Sequence, residues 1–117
     1  MSAVFRNLFT PEDADRALQD SLNGTVVVYK HSPICDLSAI ALDEMNAFLR
    51  IANPDTDVRI VDVISSRPAS QELESTTGIR HESPQVLVFK NGAVTWNASH
   101  RRITASAVGA AVADALN

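Results

Sequence analysis

The chain has 117 residues, of which 45% are hydrophobic, and it carries a formal net charge of −4 at pH 7. That length and apolar content are enough for a packed core without disulfides or structural metal. The charges are interspersed, and neither a basic block nor a run of about 18 apolar residues occurs, which argues against nucleic-acid and membrane partners.

The cysteine count and the first residues indicate the compartment. One cysteine cannot form an internal disulfide, which is typical of proteins in a reducing compartment. Residues 1–6 lack the apolar region of a secretory signal peptide. We therefore expect a cytoplasmic protein. Because the chain shows no linker or repeat, a single domain over residues 1–117 is predicted.

The first half of the chain predicts a helix, a strand and a second helix. Thr10 caps the first helix ahead of a proline and two acidic residues, and Asn23-Gly24 ends it. The β-branched and aromatic run at 25–29 predicts a strand that is buried on both faces. Apolar residues then recur at helical spacing from Leu37 to Ala52.

The second half predicts a strand at 58–64, a helix at 68–77, a hairpin at 85–96 and a helix capped by Thr104. Asn91-Gly92 in the hairpin is typical of a type I′ turn. The first two strands, joined by a helix, form a right-handed crossover unit. The whole order predicts an α/β protein with a thioredoxin-like fold: a four-stranded mixed β-sheet flanked by helices, with an extra N-terminal helix.

The only cysteine, Cys35, lies between the first predicted strand and the helix that follows it. Free backbone N–H groups at a helix start stabilise an anion, so a thiolate is favoured there. Ser38 is close enough in sequence to reach the sulfur, whereas Asp36 opposes the thiolate by like charge. His31 would help if it were protonated. A lone cysteine is also commonly a small buried hydrophobic residue, and this alternative stays open.

A second signal is Ser83-Pro84, directly before a predicted strand. Proline is allowed at the first position of a strand. In the thioredoxin fold a cis-proline at this place faces the reactive cysteine, and Pro84 matches that position. The backbone beside it would then pair with an extended substrate while Cys35 attacks the substrate's sulfur.

Three groups of residues together resemble the YtxJ family of general-stress proteins, the monothiol bacilliredoxins. They are Lys30-His31-Ser32 with Cys35-Asp36-Leu37-Ser38, the string from Gly78 to Leu87, and Asn97-Ala98-Ser99-His100 with Ile103-Thr104. The resemblance covers nearly the whole chain. Its most specific parts are Arg-His-Glu-Ser-Pro-Gln at 80–85 and Ala-Ser-His at 98–100.

The resemblance implies a thioredoxin-like fold and thiol–disulfide exchange with bacillithiol, a low-molecular-weight thiol. It implies that Cys35 is the nucleophile and accepts bacillithiol, and that Ser38 stands where dithiol relatives have a resolving cysteine. The substrate-binding residues expected from it are Ser83, Pro84, His31 and His81. No tightly bound cofactor is expected, since bacillithiol acts as a co-substrate, and the expected partners are S-thiolated cytoplasmic proteins.

The resemblance also has one departure. The family has proline directly after the cysteine, and this chain has Asp36. We expect the carboxylate to raise the pKa of the Cys35 thiol and to affect the choice of partner. Because no second cysteine exists, an external thiol must complete any catalytic cycle.

Other functions remain open from the sequence. One is an iron–sulfur or metal carrier of the monothiol-glutaredoxin type, with Cys35 and either His31 or His81 as ligands. Another is a sensor or adaptor that accepts bacillithiol without turnover. A third is an oxyanion reductase of the same fold, in which arginines gather near Cys35. The candidate arginines are Arg80, Arg101 and Arg102.

Overall fold

A computed structural model describes residues 1–116 and shows a sheet with helices on both faces. Within those residues there are five strands and four α-helices. In chain order they are β1 (Phe5–Asn7), α1 (Pro11–Asp20), β2 (Val26–His31), α2 (Asp36–Ile51), β3 (Asp57–Asp62), α3 (Arg67–Thr77), β4 (Gln85–Lys90), β5 (Ala93–Ser99), a 3₁₀ turn (His100–Arg102) and α4 (Ala105–Ala115).

The sheet has the strand order β1-β3-β2-β4-β5. The first three of these strands are parallel, and β4 and β5 continue the sheet in antiparallel fashion. Lys30 of β2 lies opposite Gln85 of β4. The end of β2 therefore meets the start of β4, and this register places the segment leading to Cys35 beside Ser83-Pro84.

The prediction of four strands was wrong by one, because β1 adds a fifth strand at the edge of the sheet. β1 has three residues, and of these only Phe5 is partly buried. So short a segment cannot show the alternation by which a strand is recognised in a sequence. Its pairing with β3, with Phe5 opposite Val58, makes it a strand. The extra N-terminal helix is present as α1.

The core consists of two layers, one on each face of the sheet. Alanines and Leu73 from α1 and α3 pack on one face against Val26 and Val28. On the other face, α2 and α4 pack against Val27 and Tyr29. All residues of β2 except His31 are buried, as the continuous apolar run predicted. Among the described residues, no helix has both the length and the apolar character needed to cross a membrane.

Candidate active site

Cys35 occupies the N-cap position of α2, immediately in front of the first helical turn. Its backbone is extended, with φ −110° and ψ 125°, and its N–H donates to the carbonyl of Ser32 at 3.3 Å. The carbonyl of Cys35 accepts from the N–H of Ala39 at 3.1 Å, as expected for a cap residue. The side chain is only partly buried, so the sulfur is accessible to a substrate.

The surroundings of Cys35 hold the pKa of its thiol below the ordinary value. The largest cause is the backbone N–H of Ser38, and the Ser38 hydroxyl and the N–H of Leu37 act in the same direction. Partial desolvation and the charge of Asp36 act in the opposite direction. The donors of the first helical turn therefore outweigh the carboxylate that was expected to raise this pKa.

Ser38 is fully buried and holds the turn that carries the cysteine. Its hydroxyl oxygen accepts a hydrogen bond from the N–H of Ser32 at 3.2 Å. Because that oxygen is used as an acceptor, the hydroxyl proton is free to point at the Cys35 sulfur, and this donation lowers the thiol's pKa. One side chain thus both shapes the turn and stabilises the thiolate.

Tyr29 supports the same turn from the sheet. Its hydroxyl lies 2.9 Å from the carbonyl oxygen of Ser38 and 2.9 Å from Nδ1 of His31. A carbonyl oxygen only accepts, so the single phenolic proton goes to Ser38 and Nδ1 of His31 must donate to the Tyr29 oxygen. Burial, followed by the charge of Cys35, raises the pKa of Tyr29, which keeps this proton in place.

His31 ends β2 and is partly buried. Burial lowers the pKa of its imidazole, and Asp62 acts in the opposite direction. The ring is therefore neutral at pH 7. With Nδ1 donating to Tyr29, Nε2 is the free acceptor of the neutral ring.

Ser83 and Pro84 lie at the start of β4, at the same end of the sheet as the turn before Cys35. The peptide bond between them is cis. Pro84 is buried, and its carbonyl accepts a hydrogen bond from the N–H of His100 at 3.0 Å. Within residues 1–116 the hydroxyl of Ser83 is buried and has no hydrogen-bond partner.

His81 lies against α3. Its Nδ1 is 3.4 Å from the hydroxyl of Ser70, and its backbone N–H donates to Glu74 at 2.5 Å. The structure therefore brings Cys35, Ser38 and His31 together through Tyr29. It places His81 beside α3, and the substrate-binding role of His81 stays a prediction.

Two polar groups near this end of the sheet escaped the sequence analysis. Tyr29 was read only as a strand residue, although alternation along β2 puts it on the same face as His31. Lys30 is 1% exposed, and burial lowers its pKa to about 8 while Glu74 acts to raise it. A lysine at the end of an apolar run was the signal that could have drawn attention to it.

The described residues hold no group of three or more His, Cys, Asp and Glu side chains placed to bind a metal ion. Cys35 and His31 meet no third ligand from this chain there. A metal or cluster carried by Cys35 would therefore take further ligands from outside residues 1–116, such as a second copy or a small thiol.

Comparison with known families decides the relationship. The sequence profile of the family described as monothiol bacilliredoxin BrxC matches residues 6–108. The chain belongs to this family. This bacilliredoxin is also similar to a solved structure described as a candidate oxidoreductase with a thioredoxin fold, at 33% identity and a TM-score of 0.82. The match covers 92% of this chain and 93% of the other.

More distant structures share the fold of this bacilliredoxin. Thioredoxin of Fasciola hepatica is 16% identical, with a TM-score of 0.73 over 94% of this chain and 98% of its own. Thioredoxin of Malassezia sympodialis is 18% identical, with a TM-score of 0.72 over 98% and 93%. The predicted thioredoxin-like fold and the predicted family are therefore confirmed, and together they identify a thiol redox protein.

Proposed function

We propose that this protein removes bacillithiol from mixed disulfides on cytoplasmic proteins, with Cys35 as the nucleophile. The observation that carries the proposal is the position of the chain's only cysteine. Cys35 caps α2, it is partly exposed, and the Ser38 N–H lowers its pKa. A thiolate is the form of cysteine that attacks a disulfide sulfur.

The reaction has two exchange steps. In the first, the Cys35 thiolate attacks the bacillithiol sulfur, a Cys35–bacillithiol disulfide forms, and the substrate protein leaves as a thiolate that takes a proton. In the second, free bacillithiol attacks the bacillithiol sulfur of that adduct. Cys35 leaves as a thiolate, and bacillithiol disulfide is the product. Each step makes one S–S bond and breaks one.

The low pKa of Cys35 matters most in the second step. A lower pKa raises the thiolate fraction, but intrinsic nucleophilicity falls roughly threefold for each pKa unit. The two effects largely offset each other during attack. A thiol with a low pKa also leaves faster, so the environment of Cys35 favours discharge of the adduct.

Ser38 explains why an external thiol is needed. It occupies the place of a resolving cysteine, and an alcohol cannot attack a disulfide in its stead. The chain has no other cysteine. The adduct on Cys35 is therefore stable until a small thiol or a partner protein reduces it.

Substrate binding is proposed at the end of the sheet beside Cys35. Ser83 and Pro84 offer backbone groups at the start of β4 to an extended segment of the S-thiolated protein. His31 contributes the free Nε2 of a neutral ring next to the turn. His81 is proposed as a more peripheral contact, since it packs against Ser70 of α3.

The test is a turnover assay with a bacillithiolated test protein and excess free bacillithiol. The wild-type protein is expected to restore the substrate thiol over many turnovers, whereas Cys35→Ser leaves the adduct in place. Removal of the adduct by Cys35→Ser would contradict the mechanism. A single turnover that is never repeated would instead identify a sensor that accepts bacillithiol and keeps it.

A further inference from the structure

An open groove of about 410 Å³ lies beside the first turn of α2. We call it the arginine groove. Its lining residues are Leu37, Glu82, Ser99, His100, Arg101 and Arg102. Apart from Leu37 and Glu82, they all come from the end of β5 and the 3₁₀ turn.

The arginine groove shares both of its walls with the redox site. On one side, Leu37 follows Cys35 by two residues, and its N–H is one of the donors that lower the thiol's pKa. On the other side, the N–H of His100 donates to the carbonyl of Pro84 at 3.0 Å. Whatever is bonded to the Cys35 sulfur therefore lies next to this groove.

The distance between the two walls is fixed by a further hydrogen bond. The N–H of Ala105, at the start of α4, donates to the carboxylate of Glu44 on α2 at 2.9 Å. This contact ties the end of the 3₁₀ turn to α2. The groove is thus part of the folded framework and does not need to form on binding.

The groove is locally cationic in a chain with a net charge of −4. It holds the guanidinium groups of Arg101 and Arg102 against one carboxylate, that of Glu82. A hydrogen bond from Ser99, helped by the charges of His100 and nearby arginines, lowers the pKa of Glu82. Among the described residues, neither Arg101 nor Arg102 forms a salt bridge, and both are exposed.

We infer that the arginine groove binds carboxylate groups of the small thiol that exchanges with Cys35. The inference rests on the proposed function and narrows its substrate class to thiols that carry carboxylates. Guanidinium groups bind carboxylates through paired, charge-assisted hydrogen bonds. Leu37 offers the same ligand an apolar wall. Bacillithiol and glutathione both carry carboxylates, so they share the chemistry that the groove recognises.

The test measures the rate of adduct formation on Cys35 with three symmetric disulfides. These are bacillithiol disulfide, glutathione disulfide and the uncharged bis(2-hydroxyethyl) disulfide. In each case Cys35 attacks one sulfur, a mixed disulfide forms on Cys35, and one thiolate leaves. The uncharged probe reports the reactivity of the thiol without any carboxylate, and it also checks that each variant is folded.

The variants are Arg101→Gln, Arg102→Gln and the two combined, with Arg50→Gln as the matched control. Arg50 is an exposed arginine in the last turn of α2, at the other end of that helix. We expect the double variant to react about fivefold more slowly with the carboxylate-bearing probes, a loss of the size given by exposed ion pairs. The uncharged probe and Arg50→Gln are expected to change by less than about twofold.

Two further measurements sharpen the result. The preference of the wild-type protein for carboxylate-bearing probes is expected to shrink as salt is added, and Arg→Lys at both positions is expected to restore part of the lost rate. A loss with bacillithiol disulfide alone supports a groove matched to that thiol. A loss with both charged probes supports recognition of carboxylates in general.

The failures of the two proposals are distinguishable. If the wild-type protein reacts with all three probes and the arginine variants leave the rate ratios unchanged, the groove inference is overturned and the exchange chemistry of Cys35 stands. If Cys35 forms no adduct with any probe, the proposed function is overturned and the groove inference with it.

Discussion

The hydroxyl of Tyr29 donates a hydrogen bond to the carbonyl of Ser38 across 2.9 Å. Tyr29 is fully buried in a central strand, where its ring stacks on Phe5 with centroids 6.2 Å apart. Ser38 provides the donors that lower the pKa of Cys35. The sheet therefore fixes the position of the helical turn on which thiolate formation depends.

The first prediction concerns this contact. Tyr29→Phe removes the hydroxyl and keeps the ring, so the Ser38 carbonyl and His31 lose a partner. We expect a loss of about 1 kcal/mol in the free energy of unfolding, measured by urea denaturation. We also expect the pKa of Cys35 to rise, because the turn is held less firmly, and the pH dependence of alkylation by iodoacetamide measures this. A lower stability with an unchanged pKa would limit Tyr29 to packing.

The second prediction concerns the Ser38 hydroxyl. Ser38→Ala leaves the buried N–H of Ser32 without its acceptor, which is expected to cost about 1–3 kcal/mol of unfolding free energy. The pKa of Cys35 is expected to rise, but only in part, since the larger contribution comes from the backbone N–H of Ser38. An alkylation profile identical to wild type would show that the hydroxyl does not reach the sulfur.

The third prediction converts the site into a dithiol. Ser38→Cys places a thiol at the resolving position, so the adduct on Cys35 is expected to be released without added thiol. Intact-mass spectrometry would show the chain losing the bacillithiol mass and gaining an internal disulfide. Persistence of the adduct, in a variant that unfolds as cooperatively as wild type, would contradict the role given to position 38.

The fourth prediction concerns the carboxylate that follows the cysteine. Asp36 acts to raise the pKa of Cys35, so Asp36→Asn is expected to lower that pKa further and to move the pH–rate profile of alkylation toward lower pH. Discharge of the adduct by free thiol is expected to become faster by about twofold, the size of one exposed charge interaction. Asp43→Asn, on an exposed part of the same helix, is the matched control and is expected to change neither.

The fifth prediction concerns stability and pH. The pKa of Cys35 is lower in the folded state than the value of about 8.5 expected in the unfolded chain. Between the two pKa values the folded state binds fewer protons, so stability rises with pH through this window and is level above about 8.5. It is lost as pH falls through the folded pKa. The stability of reduced wild type minus that of Cys35→Ser, measured from pH 5 to 9.5, should follow this curve, and a flat difference would contradict it.

Most of the framework could be predicted from the sequence because its signals are local. The Thr10 cap, the apolar run of β2 and the Asn91-Gly92 turn each determine nearby backbone. β1 could not be predicted, since three residues carry no period and their strand conformation comes from pairing with β3. Position in the chain was enough to place Cys35 in front of a helix.

The contacts around the site were less predictable because they are made between distant elements. Nothing near Tyr29 in the sequence shows that its hydroxyl meets Ser38, nine residues away. The wall of the arginine groove depends on a hydrogen bond between His100 and Pro84. The sequence raised the possibility that Arg101 and Arg102 gather near Cys35, but only the fold places them beside Leu37.

The most direct test of the proposed function follows one bacillithiol group between two proteins. The reduced protein is mixed with an equimolar bacillithiolated test protein, with a glutathionylated test protein in parallel, and intact masses are recorded over time. We predict that one bacillithiol mass moves to Cys35, faster than glutathione does, and that free bacillithiol then removes it. If the chain's mass stays unchanged in both mixtures, Cys35 is not an acceptor and the proposed function is contradicted. If glutathione moves as fast as bacillithiol, the assignment to bacillithiol is wrong and thiol exchange stands.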